Sequence, residues 1–162
     1  MNSEAKRQYL RKAYQVATKY SPDPSTKVGA IIISTSGHII EGWNHLPSGV
    51  EIDLNDRDLK YKMIEHAERA AIFYAARKGI ALEGATMVCP WAACADCARA
   101  IAESGFKEVV CHGNAIDATP ERWRKDIEIA TIIFKAAGVP YTHYYGDSGQ
   151  CENLFDGQIW HP

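Results

Sequence analysis

Two short patterns in this chain carry side chains suited to metal chemistry: His66-Ala-Glu68 and, further on, Cys94-Ala-Asp-Cys97. His66, Cys94 and Cys97 make three zinc ligands, and Glu68 stands beside one of them as a carboxylate that the metal does not need. A catalytic zinc site leaves its fourth position to water, whereas a structural site fills all four. The set therefore points to hydrolytic chemistry, with zinc acidifying a water and Glu68 as the general acid/base that moves its proton. Spacing supports a shared ion. Cys94 and Cys97 stand three apart at the start of a helix, so their sulfurs project to one side and toward its N-terminal end. There the helix dipole and free amides favour thiolates. His66 opens another helix, and Glu68 in its first turn can reach a ligand on the axis beyond the helix end.

Two other readings of these residues stay open at this point. A lone C-x-x-C can be a thioredoxin-like redox pair, although that motif has no use for His-x-Glu. A structural zinc would need a fourth ligand, for which Cys89, Cys111 or His112 could be proposed, although none forms a second close pair with another ligand.

The elements that must position these residues follow from periodicity. Leu10, Ala13, Tyr14 and Ala17 recur at helical spacing and predict an amphipathic helix from Ser3 to Tyr20, ended by Ser21-Pro-Asp-Pro24. Val28 to Ile33 is apolar and β-branched without interruption, as in a central strand buried on both faces. Ser36-Gly37 turns into a second strand, His38 to Trp43, and a glycine-, proline- and asparagine-rich loop follows from Gly42 to Gly49. The stretch to about Lys62 is polar, with a short helical turn around Asp56 to Tyr61, and is expected to lie over the surface. A helix then runs from near Glu65 to a cap at Gly79, a strand from Ala85 to Cys89, and a helix from Cys94 to Ser104 capped by Gly105. A strand from Val109 to Cys111, a helix from Pro120 to Ala137 capped by Gly138, and a strand from Val139 to Tyr144 complete the pattern. This order predicts an α/β fold with a mixed sheet of about five strands and helices on both faces. Arg122, Arg124 and Lys125 suggest a phosphate patch, but with Glu121, Asp126 and Glu128 interspersed they read rather as the exposed face of a helix.

With 162 residues the chain fits one domain, expected over 1–145, followed by a tail over 146–162. The tail lacks periodicity, but Leu154, Phe155, Ile159 and Trp160 are apolar enough for docking or an oligomer contact. A net charge of −2 lacks the basic surface that a nucleic-acid polymer demands, so a small-molecule partner is expected. No apolar run approaches the length of a membrane span, the N-terminal residues lead into an amphipathic helix, and five cysteines is an odd count. These features predict a cytoplasmic protein without a membrane partner.

His-x-Glu followed by Cys-x-x-Cys is the pattern of zinc deaminases. The segments Ser21-Pro-Asp-Pro-Ser-Thr-Lys-Val-Gly-Ala30, Gly42-Trp-Asn44, Glu83-Gly-Ala-Thr-Met87 and Cys94 to Gly105 extend the likeness over about residues 5 to 144. Together they resemble the deoxycytidylate (dCMP) deaminase family. That resemblance implies a three-layer α/β/α cytidine-deaminase-like fold, one catalytic zinc per chain, a nucleotide substrate and a homo-oligomer, dimer to hexamer. It also implies hydrolysis of dCMP to dUMP and ammonia, with His66, Cys94 and Cys97 on zinc and Glu68 as proton shuttle. Asn44 would bond the sugar, the Ala67 backbone would hold the pyrimidine, and Lys27 with Ser25 and Thr26 would meet the phosphate. Trp91 would line the pocket. The sequence departs from the family in having Ala93 directly before the first metal cysteine, where a proline is usual, and in reading His112-Gly-Asn-Ala-Ile-Asp117 where a tyrosine is common. Another small cytosine or purine compound as substrate, and a non-catalytic zinc module that binds a nucleotide, are the alternatives.

Overall fold

The computed structural model describes residues 1–162. Thirteen elements follow in order: α1 Ser3–Tyr20, β1 Gly29–Ile33, β2 Ile39–Trp43, α2 Arg57–Met63, α3 Ala67–Lys78, β3 Thr86–Val88, α4 Ala95–Glu103, β4 Glu108–His112, α5 Gly113–Asp117, α6 Glu121–Ala137, β5 Tyr141–Tyr144, β6 Asn153–Phe155 and β7 Gln158–Trp160. The main sheet has the order β2-β1-β3-β4-β5. β1 pairs antiparallel with β2 and β3, whereas β3, β4 and β5 run parallel.

Alternation along the strands divides the core in two. Ala30, Ile32, Met87 and Val109 point to one face, where α3, α4 and α6 close over them with Ala71, Ile101 and Phe134. Ile31, Val88 and Val110 point to the other, where Leu10, Ala13 and Val16 of α1 cover them. Helices thus lie on both sides of a mixed five-stranded sheet, the α/β/α architecture expected. β1 is central and buried along almost all of its length because it has a partner strand on each side and a helix on each face. Glycines end α3 and α6 in the left-handed conformation, Gly79 at φ 66° and Gly138 at φ 70°, where a Cβ would be strained.

Three local features bear on the site. Gly42 of β2 lies directly under the first turn of α3, where a Cβ would run into the Ala67 carbonyl oxygen. The loop from Asn44 to Glu65 is pinched at its base by paired bonds, His45 N to Glu65 O at 3.1 Å and Glu65 N to His45 O at 2.8 Å. It does not simply lie over the surface as its polarity suggests. Lys60 of α2 is buried, and its ammonium donates to Asp23 at 3.0 Å; the ion pair is what allows a lysine to leave water.

The tail also departs from its sequence pattern. β6 and β7 form an antiparallel hairpin, and its turn residues Asp156 and Gly157 both have positive φ, 48° and 80°. Asp-Gly between Leu154-Phe155 and Ile159-Trp160 is the signal for such a two-residue turn. The hairpin bonds to α1 through Thr18 Oγ1 to Glu152 O at 2.6 Å and to the following loop through Lys27 N to Leu154 O at 3.0 Å. α5, unmarked by periodicity, occupies the turn after β4.

Candidate active site

The N-termini of α3 and α4 converge. His66 is the N-cap residue of α3 and Cys94 that of α4, with Cys97 in the next turn. His66 Nδ1 lies 3.4 Å from Cys94 Sγ and 3.6 Å from Cys97 Sγ, and the three ligand atoms all fall within 4.8 Å of one another. A tetrahedral zinc with ordinary Zn–N and Zn–S bonds would set each N···S separation at about 3.6 Å. Both N···S separations match that ion. Arg69 braces the two helices, paired with Glu65 and reaching Asp96 at 3.3 Å.

Electrostatics in the cluster follow from burial and mutual hydrogen bonding. Cys94 is held far below the usual thiol range, at about 4, by the hydrogen bond with Cys97; burial opposes this and the His66 contact adds to it. The same contact and burial push Cys97 up. Burial pulls His66 down, but its bond to Cys94 and the charge of Glu68 outweigh that and raise it to about 9. Glu68 is buried and makes no ion pair; burial raises its carboxyl above the ordinary carboxylate range, with His66 opposing.

Glu68 and the cluster open onto one cavity. His66, Ala67, Glu68 and Cys94 line it at the metal end, and Thr26, Asn44 and Trp91 line other walls. Asn44 is fully bonded within the protein: its Oδ1 accepts from Ser21 Oγ at 2.6 Å and Val28 N at 2.8 Å, and its Nδ2 donates to Thr26 O at 2.9 Å and Asp23 Oδ2 at 3.4 Å. It thus holds the 21–28 loop against β2. Asp23 turns that loop by accepting the amides of Ser25 at 2.8 Å and Thr26 at 3.1 Å. Trp91 donates its indole N–H to Thr119 Oγ1 at 2.8 Å and stacks on Phe155.

Lys27 is not brought to this cavity. Its Nζ donates to the Thr18 carbonyl at 3.3 Å, and the residue borders a separate small void beneath the C-terminal hairpin. Ser25 also stands outside the lining. The start of α6, by contrast, is not a fully solvated face: Arg122, Trp123 and Asp126 line the cavity, together with Lys60 and Tyr61 of α2. Trp123 and Tyr61 meet edge to face at 5.3 Å, and Asp126 accepts the Ala95 amide at 3.1 Å, capping α4 beside Cys94. Sequence signals for these contacts are faint, since Asp126 and Ala95 lie in different elements and an N-cap is sought next to its own helix.

The cavity and fold have known counterparts. The family described as "Cytidine and deoxycytidylate deaminase zinc-binding region" matches residues 3–113. An uncharacterized deaminase in the luxG 3′ region of Aliivibrio fischeri is 33% identical over 139 residues, covering 83% of this chain and 92% of its own. The deoxycytidylate deaminase of Mus musculus is 30% identical over 146 residues, covering 85% of this chain and 78% of its own. The crystal structure of dCMP deaminase from the cyanophage S-TIM5, in complex with dCMP and dUMP, superposes with a TM-score of 0.63 at 27% identity, over 87% of this chain and 97% of that one.

Proposed function

The chain belongs to the cytidine and deoxycytidylate deaminase zinc-binding family, and on that premise we propose that it hydrolyses dCMP to dUMP and ammonia. The observation that carries the reading is the set of three zinc-ligand atoms within 4.8 Å of one another, with a buried Glu68 that makes no ion pair lining the same cavity. The choice of dCMP is supported by the deoxycytidylate deaminases among its relatives and by the nucleotides bound in the cyanophage enzyme.

His66, Cys94 and Cys97 would hold a zinc, and that ion would supply the acidity that makes water a nucleophile near neutral pH. Glu68 accepts a proton from the attacking water as oxygen bonds to C4 of cytosine, and passes it to N3. A second proton, from the new hydroxyl, goes through Glu68 to the departing amine, so that uracil and ammonia balance cytosine and water. Burial raises the Glu68 carboxyl above the ordinary carboxylate range, which strengthens it as the proton acceptor that the first step needs. We assign the Ala67 backbone, at the first turn of α3, to the pyrimidine edge and Thr26 and Trp91 of the cavity lining to the sugar side, which Asn44 shapes by holding the 21–28 loop.

Residues 1–145 are proposed as the deaminase domain, with 146–162 as its docked tail. Exposed Phe73 and Tyr74 on α3 and Ile132 on α6 support a homo-oligomer. Five cysteines, all free, support a reducing, cytoplasmic setting. No helix is long and apolar enough to cross a membrane. The test is ammonia release from the zinc-loaded protein on cytidine, deoxycytidine, CMP, dCMP, dCTP and 5-substituted dCMP. The reading expects dCMP to have the highest kcat/KM; turnover of unphosphorylated substrates alone would overturn it.

A further inference from the structure

The C-terminal hairpin stands outside the metal cluster, yet its turn touches three residues of the cavity wall. Phe155 stacks on Trp91 with ring centroids 3.8 Å apart. The Asp156 amide donates to Thr26 Oγ1 at 3.1 Å, and the Asp156 carboxylate accepts from the Arg122 guanidinium at 2.5 Å. Flanking backbone bonds, Lys27 N to Leu154 O at 3.0 Å and Gly157 N to Ser25 O at 2.8 Å, hold the turn there.

The charged groups of the cavity then divide by how firmly each is engaged. Lys60 is buried on Asp23, Asp126 accepts the Ala95 amide, and Glu68 belongs to the reacting end. Arg122 is different. Its partner Asp156 is on the surface, and the two side chains are 42% and 40% exposed. An exposed pair of this kind is weak and exchanges readily, and a guanidinium fork accepts a phosphate in the same geometry as a carboxylate.

We infer that Arg122 is the specificity-determining residue for a 5′-phosphate and that Asp156 is its stand-in anion, occupying the guanidinium until the phosphate of a nucleoside monophosphate replaces it. The inference rests on the reading of dCMP as substrate. A neutral nucleoside has nothing to exchange with Asp156 and leaves the pair closed. Asp156 is thus a positioning residue that acts through Arg122, and the hairpin turn is a working part of the cavity.

The test is steady-state kinetics of the zinc-loaded full chain on dCMP and deoxycytidine, with dUMP binding followed by tryptophan fluorescence. Arg122→Gln is expected to raise KM for dCMP about tenfold or more relative to its effect on deoxycytidine, the scale of a lost charge-assisted bond. Asp156→Asn is expected to lower KM for dCMP and Kd for dUMP about two- to fivefold, the scale of an exposed ion pair, and to do so only where Arg122 is intact. Equal changes on both substrates, a higher KM for dCMP in Asp156→Asn, or the same Asp156→Asn effect in the Arg122→Gln background would each overturn the inference. If Arg122→Gln does not fold, Arg122→Lys takes its place, with a smaller rise expected and an unmoved KM counting against. Wild-type protein active on deoxycytidine but not on dCMP overturns the substrate reading itself; activity on dCMP that neither substitution shifts overturns the inference alone.

Discussion

Exchanging the acid of Glu68 for an amide separates holding a metal from moving a proton. Glu68→Gln keeps the shape of the cavity and all three ligand atoms, so the purified variant should carry as much zinc as the wild type while kcat falls about 10²- to 10⁴-fold. His66→Ala should lose zinc and activity together, because two sulfurs alone make a poor site. Metal analysis beside ammonia release distinguishes the two, and a Glu68→Gln protein at near wild-type rate would remove Glu68 from the chemistry. These residues were readable from sequence because the information is local: His66 and Glu68 share one helical turn, and so do Cys94 and Cys97. Arg122 was not, since its neighbours Glu121, Arg124 and Lys125 make a solvent-like pattern, and which side of that first turn looks inward is decided by the packing of α6 on α4. Lys27 is the opposite case. It lies in a family-like segment, but its side chain turns toward the Thr18 carbonyl while its backbone is tied to Leu154.

Between residue and fold, two junctions decide whether the site is assembled. The Lys60–Asp23 pair fastens α2 to the 21–28 loop, with both side chains almost fully enclosed. Removing one charge leaves the other without compensation, so Lys60→Ala should lower unfolding stability by about 3 kcal/mol, measurable by urea denaturation. Gly42→Ala places a methyl against the Ala67 carbonyl at the turn that carries His66 and Glu68. Overpacking of that kind costs about 1–3 kcal/mol, and here it should also reduce zinc per folded chain, read by thermal melting and metal analysis together. Helix ends were plain in the sequence, as Gly79 and Gly138 show, because a left-handed cap depends on one residue. The ion pair was not plain: Asp23 and Lys60 are far apart in the chain, and a lysine among polar neighbours gives no sign of burial. The β6–β7 hairpin had its signal in Asp156-Gly157, but strands of three residues are too short for alternation to register.

At the scale of the whole molecule, His112 joins the N-terminal helix, the sheet and the tail. Tyr14 donates its hydroxyl to His112 Nδ1 at 2.7 Å, and His112 Nε2 donates to the Gly146 carbonyl at 2.7 Å. Trp160 stacks on the same ring at 5.9 Å. Burial lowers the His112 pKa, so the unfolded chain binds this proton more tightly than the folded one. The stabilisation is complete above the unfolded value of about 6.5 and is lost as pH falls from there through the lowered folded value. Thermal melts should therefore drop between pH 7.5 and 5.5, and the drop should be smaller in His112→Gln. α1 has a further consequence, for synthesis. The strands its apolar face covers include Val88 and Val110, and its polar side is secured by Thr142 through Lys6 and by Glu152 through Thr18. This helix is thus made well before the later strands that shelter it. At ribosomal rates of about 5–20 residues per second, its Leu10–Ala13–Val16 stripe waits on the order of five to twenty seconds for β4 to follow it out. During that interval the nascent chain offers chaperones an amphipathic helix that the finished protein conceals.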